Sequence, residues 1–150
     1  MFFASDNAGP VHPKVMERVI AANSDYAMPY GKDPIMDEVR AQIREQFEAP
    51  EAEVYLVATG TAANALALAC YTQPWQTIFC SKVAHIEEDE CNAPEFYAGA
   101  AKLTLVETDD KMTPDALRRA IVARAAGDVH TPQRGPVSIT QVTERGGVHS

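Results

Sequence analysis

Residues 54–71 read VYLVATGTAANALALACY, and their pattern indicates the fold class. Its first five residues form a short, nearly continuous apolar run, as in a strand that is buried on both faces of a parallel sheet. Thr59-Gly60-Thr61 interrupts the run, and the alanine-rich segment from Ala62 to Tyr71 then predicts a helix. A strand that passes through a tight turn into a helix is the unit from which α/β domains are built.

The rest of the chain repeats this alternation. Further strands are predicted at 77–80, 102–106 and 137–141. Further helices are predicted where a proline can take the first helical position, at Pro13, at Asp33-Pro34 and at Thr113-Pro114. Strands that alternate with helices predict an α/β fold with a mostly parallel sheet and flanking helices.

The composition excludes several classes of protein. A net charge of −8 disfavours nucleic acid and anionic membranes as partners, because these need cationic surfaces. No apolar run approaches the roughly 20 residues of a transmembrane helix, and residues 1–6 lack the pattern of a signal peptide. Cys70, Cys80 and Cys91 are odd in number and lack Cys-x-x-Cys spacing. This pattern predicts buried thiols in a reducing, cytoplasmic environment.

The junction Thr59-Gly60-Thr61 is the first candidate site. A helix N-terminus presents unpaired N–H groups and a partial positive charge, so it can receive a phosphate without a basic residue. Gly60 would allow close approach of the backbone, and the hydroxyls of Thr59 and Thr61 would add donors. The tripeptide matches neither a Walker loop nor a Gly-x-Gly-x-x-Gly motif, and alone it is more simply explained as a capped helix.

Two histidines are the other candidates. His85 opens the acidic run His85-Ile86-Glu87-Glu88-Asp89-Glu90. Metal ligands on a helix usually lie at i, i+3 or i+4, whereas consecutive acids point in different directions, so we expect no metal site there. A surface histidine beside a solvated acidic face is the simpler interpretation. His130 precedes a loop proline, and a lone histidine in such a place is usually only a polar loop residue.

Read in order, these segments resemble the threonine aldolase branch of the pyridoxal 5′-phosphate (PLP) dependent fold-type-I enzymes. The matching segments are SDN at 5–7, YGKDP at 30–34, ATGTAANALAL at 58–68, AHI at 84–86, VH at 129–130 and VSITQ at 137–141. Several motifs in the family's order are far more specific than any one of them. The last resembles the Ser-Ile-Thr-Gln form of bacterial low-specificity enzymes.

The resemblance implies PLP as the cofactor and an aspartate-aminotransferase-like fold. Gly60 and Thr61 would hold the PLP phosphate, and His85 would stack on the pyridine ring. Ser5 would contact the substrate carboxylate. His130 would lie near the substrate's β-hydroxyl.

The resemblance also implies a reaction, the cleavage of L-threonine or L-allo-threonine to glycine and acetaldehyde. The β-hydroxyl must lose its proton as the aldehyde leaves, and a histidine suits this because its ordinary pKa lies near neutrality. His85 and His130 are therefore candidate catalytic residues. Glu90 is a third candidate catalytic residue. Three roles are open for it: to orient His85, to take part in proton transfer, or only to support the segment. Related enzymes are typically homotetramers built from dimers, so the resemblance implies a homo-oligomer.

The family also needs a lysine that binds the cofactor and an aspartate that pairs with its pyridine nitrogen. No lysine of this chain stands in a matching context. We therefore expect residues 1–150 to hold the N-terminal arm and the first part of the large PLP-binding domain, without the rest of that domain or the small C-terminal domain. Such a segment would be inactive alone. Another fold-type-I PLP lyase, such as a β-eliminating lyase, and a non-catalytic binding or scaffold protein are the alternatives.

Overall fold

The structure is a computed structural model that describes residues 8–124 and 126–150. Its elements follow in the order α1 (Pro13–Ala22), α2 (Pro34–Gln46), α3 (Gly60–Tyr71), β1 (Gln76–Ser81), α4 (His85–Glu88), α5 (Ala93–Tyr97), β2 (Lys102–Val106), α6 (Pro114–Val122) and β3 (Gln133–Val137). The chain divides into two compact units, Met1–Tyr55 and Leu56–Ser150. Within the described ranges, every helix is too short or too polar to cross a bilayer.

The first unit contains α1 and α2, and both begin at the predicted prolines. The side chain of Asp33 accepts a hydrogen bond from the backbone N–H of Met36 at 2.9 Å, and Pro34 is the first helical residue. Such a cap stabilises a helix by about 1 kcal/mol. In α1 the residue before the helix is His12, whose Nδ1 accepts from the N–H of Lys14 at 3.2 Å.

The second unit is built on a parallel sheet with the strand order β2-β1-β3. β1 and β2 cover the predicted runs 77–80 and 102–106 and pair in regular register, from Thr77 opposite Lys102 to Ser81 opposite Val106. β1 lies in the middle, and its residues 77–80 are fully buried. The predicted α/β class with a parallel sheet is confirmed.

Helices cover the two faces of this sheet. Alternate side chains of β1 point to opposite faces, so Ile78 and Cys80 pack on one side and Phe79 on the other. On the first side the core includes Leu68 of α3 and the short segments that follow β1. On the second side it includes Ala116 of α6. α6 begins after Thr113, whose hydroxyl caps the helix as predicted.

The predicted strand at 54–58 is wrong. These residues form no strand in the structure, and the side chains of Tyr55 and Leu56 are 81% and 65% exposed. An apolar run becomes a strand only where a neighbour pairs its N–H and C=O groups. The described residues provide no such neighbour for this run.

The predicted strand at 137–141 is also misplaced, because β3 ends at Val137 and begins at Gln133. β3 contains Gly135 and Pro136, and both residue types are uncommon inside a strand. The glycine is what allows it, since a Cβ at Gly135 would lie 2.5 Å from the carbonyl oxygen of Thr77. The register is irregular between Thr77 and Phe79, and a proline is tolerated because β3 has only one neighbour in the described sheet.

The three cysteines are free, but only one of them is buried as predicted. Cys80 lies in β1, where burial, with a smaller contribution from the charges of Glu87 and Glu95, raises the pKa of its thiol to about 12. Cys70 and Cys91 are exposed within the chain. Cys70 lies on the exposed side of α3. The number and spacing of the cysteines do not indicate on which side of a helix a cysteine lies.

Candidate functional site

The N-terminus of α3 is arranged to receive an anion. Helix α3 begins at Gly60, and the Thr59 hydroxyl accepts a hydrogen bond from the N–H of Ala62 at 3.1 Å. The next amide, that of Ala63, bonds to the carbonyl oxygen of Thr59. Among the described residues, the N–H groups of Gly60 and Thr61 have no recorded partner. They are the first-turn donors that a bound phosphate would take up.

The space beside Gly60 is open. A Cβ built on this residue would meet no atom within 4 Å, and its backbone does not adopt the left-handed conformation that favours glycine. Packing within the described chain therefore gives no reason for a glycine here. Close approach of a ligand to the backbone does give one.

The second part of the site is a hydrogen-bonded group of three side chains. His85 follows the carboxyl end of β1 and opens α4. Its Nδ1 lies 2.8 Å from Oε1 of Glu90, and the same oxygen accepts a hydrogen bond from Nδ2 of Asn64 at 2.6 Å. The Glu90 side chain is fully buried, whereas that of His85 is 40% exposed. The carboxylate is thus an internal support, whereas the imidazole is accessible from outside the chain.

Glu90 sets the protonation chemistry of His85. The hydrogen bond to Glu90 raises the pKa of His85 above its ordinary value of 6.5, while partial burial acts in the opposite direction. A nitrogen that faces a carboxylate keeps its proton as a donor, so Nδ1 carries the proton in the neutral ring. Nε2 is then the nitrogen that gains or loses a proton when the ring titrates.

The turn after Glu90 fixes its main chain in place. Cys91 and Asn92 both have left-handed backbones, with φ of 50° and 60°, and the N–H of Ala93 bonds to the Glu90 carbonyl oxygen at 2.9 Å. A left-handed conformation costs a residue such as cysteine about 1–2 kcal/mol. The second oxygen of Glu90, Oε2, is buried and has no partner among the described residues.

The other predicted site residues do not join this group. Ser5 lies outside the described residues. His130 is exposed in the loop before β3, where its backbone N–H bonds to the Asp128 side chain at 2.9 Å. Because β3 runs parallel to β1, this loop lies at the amino end of the sheet, whereas His85 follows the carboxyl end. In the described chain, no group of three or more His, Cys, Asp or Glu side chains is placed to hold a metal ion.

The sequence alone predicts no role for Asn64. The signal was present, because an asparagine interrupts an alanine-rich helix one turn after Gly60, and asparagine is a poor helix former. Its hydrogen-bond partner Glu90 lies 26 residues further along the chain. Only the packing of α3 against the segment that follows β1 brings the two together.

Several known proteins are similar to this chain over nearly its whole length. The chain is 38% identical over 148 residues to a low specificity L-threonine aldolase of Pseudomonas aeruginosa and 37% identical to one from a Pseudomonas species, covering 98% of this chain in each case. It spans 42% of the length of these curated relatives. The structure matches that of threonine aldolase from Leishmania major with a TM-score of 0.84 and 24% identity, over 95% of this chain and 41% of the other.

The structural match confirms the predicted fold class, and the relatives confirm the resemblance to threonine aldolases. The beta-eliminating lyase family matches residues 3–150, which is nearly the whole chain. The chain belongs to the beta-eliminating lyase family.

Proposed function

We propose that this chain is the cofactor-binding part of an L-threonine aldolase that cleaves L-threonine or L-allo-threonine to glycine and acetaldehyde. The observation that carries the proposal is the histidine supported by a buried carboxylate, joined by Asn64 to a helix whose N-terminus can take an anion. The names of the relatives, low specificity L-threonine aldolase, support the same activity.

The residues present fit PLP. The unpaired amides of Gly60 and Thr61, with open space beside the glycine, suit its phosphate without any basic residue. The partly exposed ring of His85 suits the flat face of its pyridine. When bound, PLP withdraws electrons from the substrate's Cα and so weakens the bonds at that carbon.

His85 is our candidate for the group that moves the proton of the substrate's β-hydroxyl. Glu90 keeps the Nδ1 proton in place and raises the pKa of His85, so Nε2 accepts a proton more readily than it would in an isolated imidazole. The resemblance assigned the β-hydroxyl to His130, but its position before β3 supports His85 instead. Ser5 stays a prediction for the substrate carboxylate.

We also propose that the 150 residues hold the N-terminal arm and the first part of a larger PLP-binding domain, since they span 42% of their relatives. The free cysteines support a cytoplasmic location, because two of them are exposed and unpaired. Assembly as a homodimer or homotetramer rests on the resemblance to threonine aldolases.

Product analysis of the full-length protein tests the proposal. Incubation with L-threonine and PLP should give equal amounts of glycine and acetaldehyde. A second candidate is β-elimination, which the name of the family favours. Pyruvate and ammonia from L-tyrosine or L-tryptophan, without acetaldehyde from threonine, would identify that reaction. A protein that forms neither set of products contradicts both enzymatic functions.

A further inference from the structure

Asn64 occupies a particular place between the two parts of the site. It lies four residues after Gly60 in α3, so its side chain projects from the same side of the helix, one turn further on. Its carboxamide reaches Oε1 of Glu90 at 2.6 Å, which is short for an N–H···O hydrogen bond. The helix that presents the anion-binding amides therefore also holds the carboxylate that supports His85.

The bonds to Glu90 are unequally divided between its two oxygens. Oε1 accepts from Asn64 and faces His85, whereas the buried Oε2 has no partner in the described residues. A glutamate side chain has several rotatable bonds, and restricting them has an entropic cost. Apart from His85 itself, Asn64 is the partner that holds Oε1 in place. Its hydrogen bond therefore helps to determine which oxygen of Glu90 faces the imidazole.

We propose that Asn64 is a positioning residue that holds the Glu90 carboxylate in the orientation that keeps a proton on Nδ1 of His85. Removing the carboxamide frees the carboxylate to rotate, and the imidazole then exchanges between its two neutral tautomers. The same bond fixes the ring relative to the N-terminus of α3. The use of Nε2 for proton transfer rests on the proposed function, but the coupling of Asn64 to His85 does not.

A purely structural role for Asn64 predicts something different. Asn64 would then only satisfy a buried acceptor, and its loss would lower the denaturant concentration at which half of the protein unfolds without affecting how His85 titrates. The protonation behaviour of His85 separates the two roles, because a change in stability alone does not move it.

The test is histidine NMR on the full-length protein without added cofactor. Asn64→Leu removes the donor at similar volume, and Asn64→Ala is the second variant should the first not fold. Cys70→Ala, at an exposed position of the same helix, is the matched control. The His85 signal is identified by its loss in His85→Phe. In both Asn64 variants the pKa of His85 should fall towards its ordinary value, and the ring should populate both tautomers; the control should leave both unchanged.

The cleavage assay supplies a second readout. If the protein cleaves threonine, the Asn64 variants should lose about tenfold or more in kcat with a smaller change in KM, as for other residues that orient a reacting side chain. Unchanged titration and tautomer ratio of His85 in a folded Asn64 variant would overturn the proposal. The two proposals can also fail separately. If the Asn64 variants change the titration of His85 but the wild-type protein forms no acetaldehyde, the positioning role stands and the aldolase function is rejected.

Discussion

Oε1 of Glu90 lies 2.8 Å from Nδ1 of His85, and the carboxylate is fully buried while the imidazole is 40% exposed. The pair thus has an inner, acidic member and an outer member that exchanges protons with its surroundings. Such an arrangement fixes the tautomer of the histidine and makes its protonated form more stable. In the acidic run 85–90, Glu90 is the residue that performs this role.

Replacing Glu90 with Gln should change how stability depends on pH. The pKa of His85 in the folded protein is raised above 6.5, so the pair stabilises the fold fully below that pH and loses this contribution as pH rises through the folded pKa. Glu90→Gln should therefore lower the free energy of unfolding more at about pH 5.5 than at about pH 9. Denaturant unfolding of the two proteins at both pH values measures this.

A second part of the Glu90→Gln effect should not depend on pH. The amide nitrogen of Gln would be buried without an acceptor, which costs about 1–3 kcal/mol at every pH. His85→Phe provides the control, since it removes the titrating group and should abolish the pH-dependent part. An equal destabilisation by Glu90→Gln at both pH values would show that Glu90 does not act on the protonation of His85.

Gly60 should matter for the cofactor and not for folding. Because a Cβ there meets no atom within 4 Å, Gly60→Ala should change the free energy of unfolding by less than about 0.5 kcal/mol. Gly60→Val should weaken PLP binding much more than Thr59→Ser, which keeps the hydroxyl that caps α3. Absorbance titration of the full-length protein with PLP measures the affinities. Equal affinities in the two variants would argue against phosphate binding at this helix.

Gly135 should show the opposite behaviour. A Cβ at this position would lie 2.5 Å from the carbonyl oxygen of Thr77, so Gly135→Ala must displace β3 or β1. We expect a loss of about 1–3 kcal/mol in the free energy of unfolding. Gly60→Ala is the matched control, because the same methyl group enters open space there. Similar stabilities of the two variants would mean that the sheet adjusts at Gly135 without cost.

Local signals in the sequence were sufficient for several elements. Helices α2 and α6 begin where Asp33-Pro34 and Thr113-Pro114 predict, because a cap acts on amides within three residues. β1 is recognisable because Ile78, Phe79 and Cys80 are consecutive apolar residues. β2 is recognisable because three of its five residues are apolar, and Thr104 and Val106 are β-branched, as is common in strands. The position of β3 was not predictable in this way, since the glycine that allows it fits against Thr77, which is distant in sequence.

The same distinction applies to the candidate site. Gly60 and His85 could be chosen because each stands in a segment that matches the threonine aldolase pattern, and the structure joins these segments through Asn64 and Glu90. The asparagine in an alanine-rich helix marks Asn64 as unusual, but its role depends on Glu90, 26 residues away, and the local pattern does not identify that partner. His130 precedes the strand at both its predicted and its observed position, so the four-residue error in that strand does not change the end of the sheet at which His130 lies.

The two histidines should differ sharply in their effect on catalysis. His85 follows the carboxyl end of β1 and is supported by Glu90, whereas His130 precedes β3 at the amino end of the sheet. His130→Phe should therefore leave PLP content, threonine cleavage and the preference between L-threonine and L-allo-threonine nearly unchanged. His85→Phe keeps a flat ring for the cofactor but cannot move a proton. It should retain PLP and lower kcat for threonine by roughly 10²–10⁴-fold, as for a lost acid–base group, or less if a water molecule substitutes.

The measurements are PLP absorbance and acetaldehyde release from both substrates in the full-length protein. The wild type should also lose activity as pH falls through the pKa of His85, because a protonated Nε2 cannot accept a proton, and this limb should be absent in His85→Phe. A large loss of cleavage in His130→Phe, with His85→Phe nearly as active as the wild type, would assign the β-hydroxyl to His130. His130 would then have to reach the substrate from the amino end of the sheet or from a neighbouring subunit, and the role of Glu90 would be limited to holding the ring of His85.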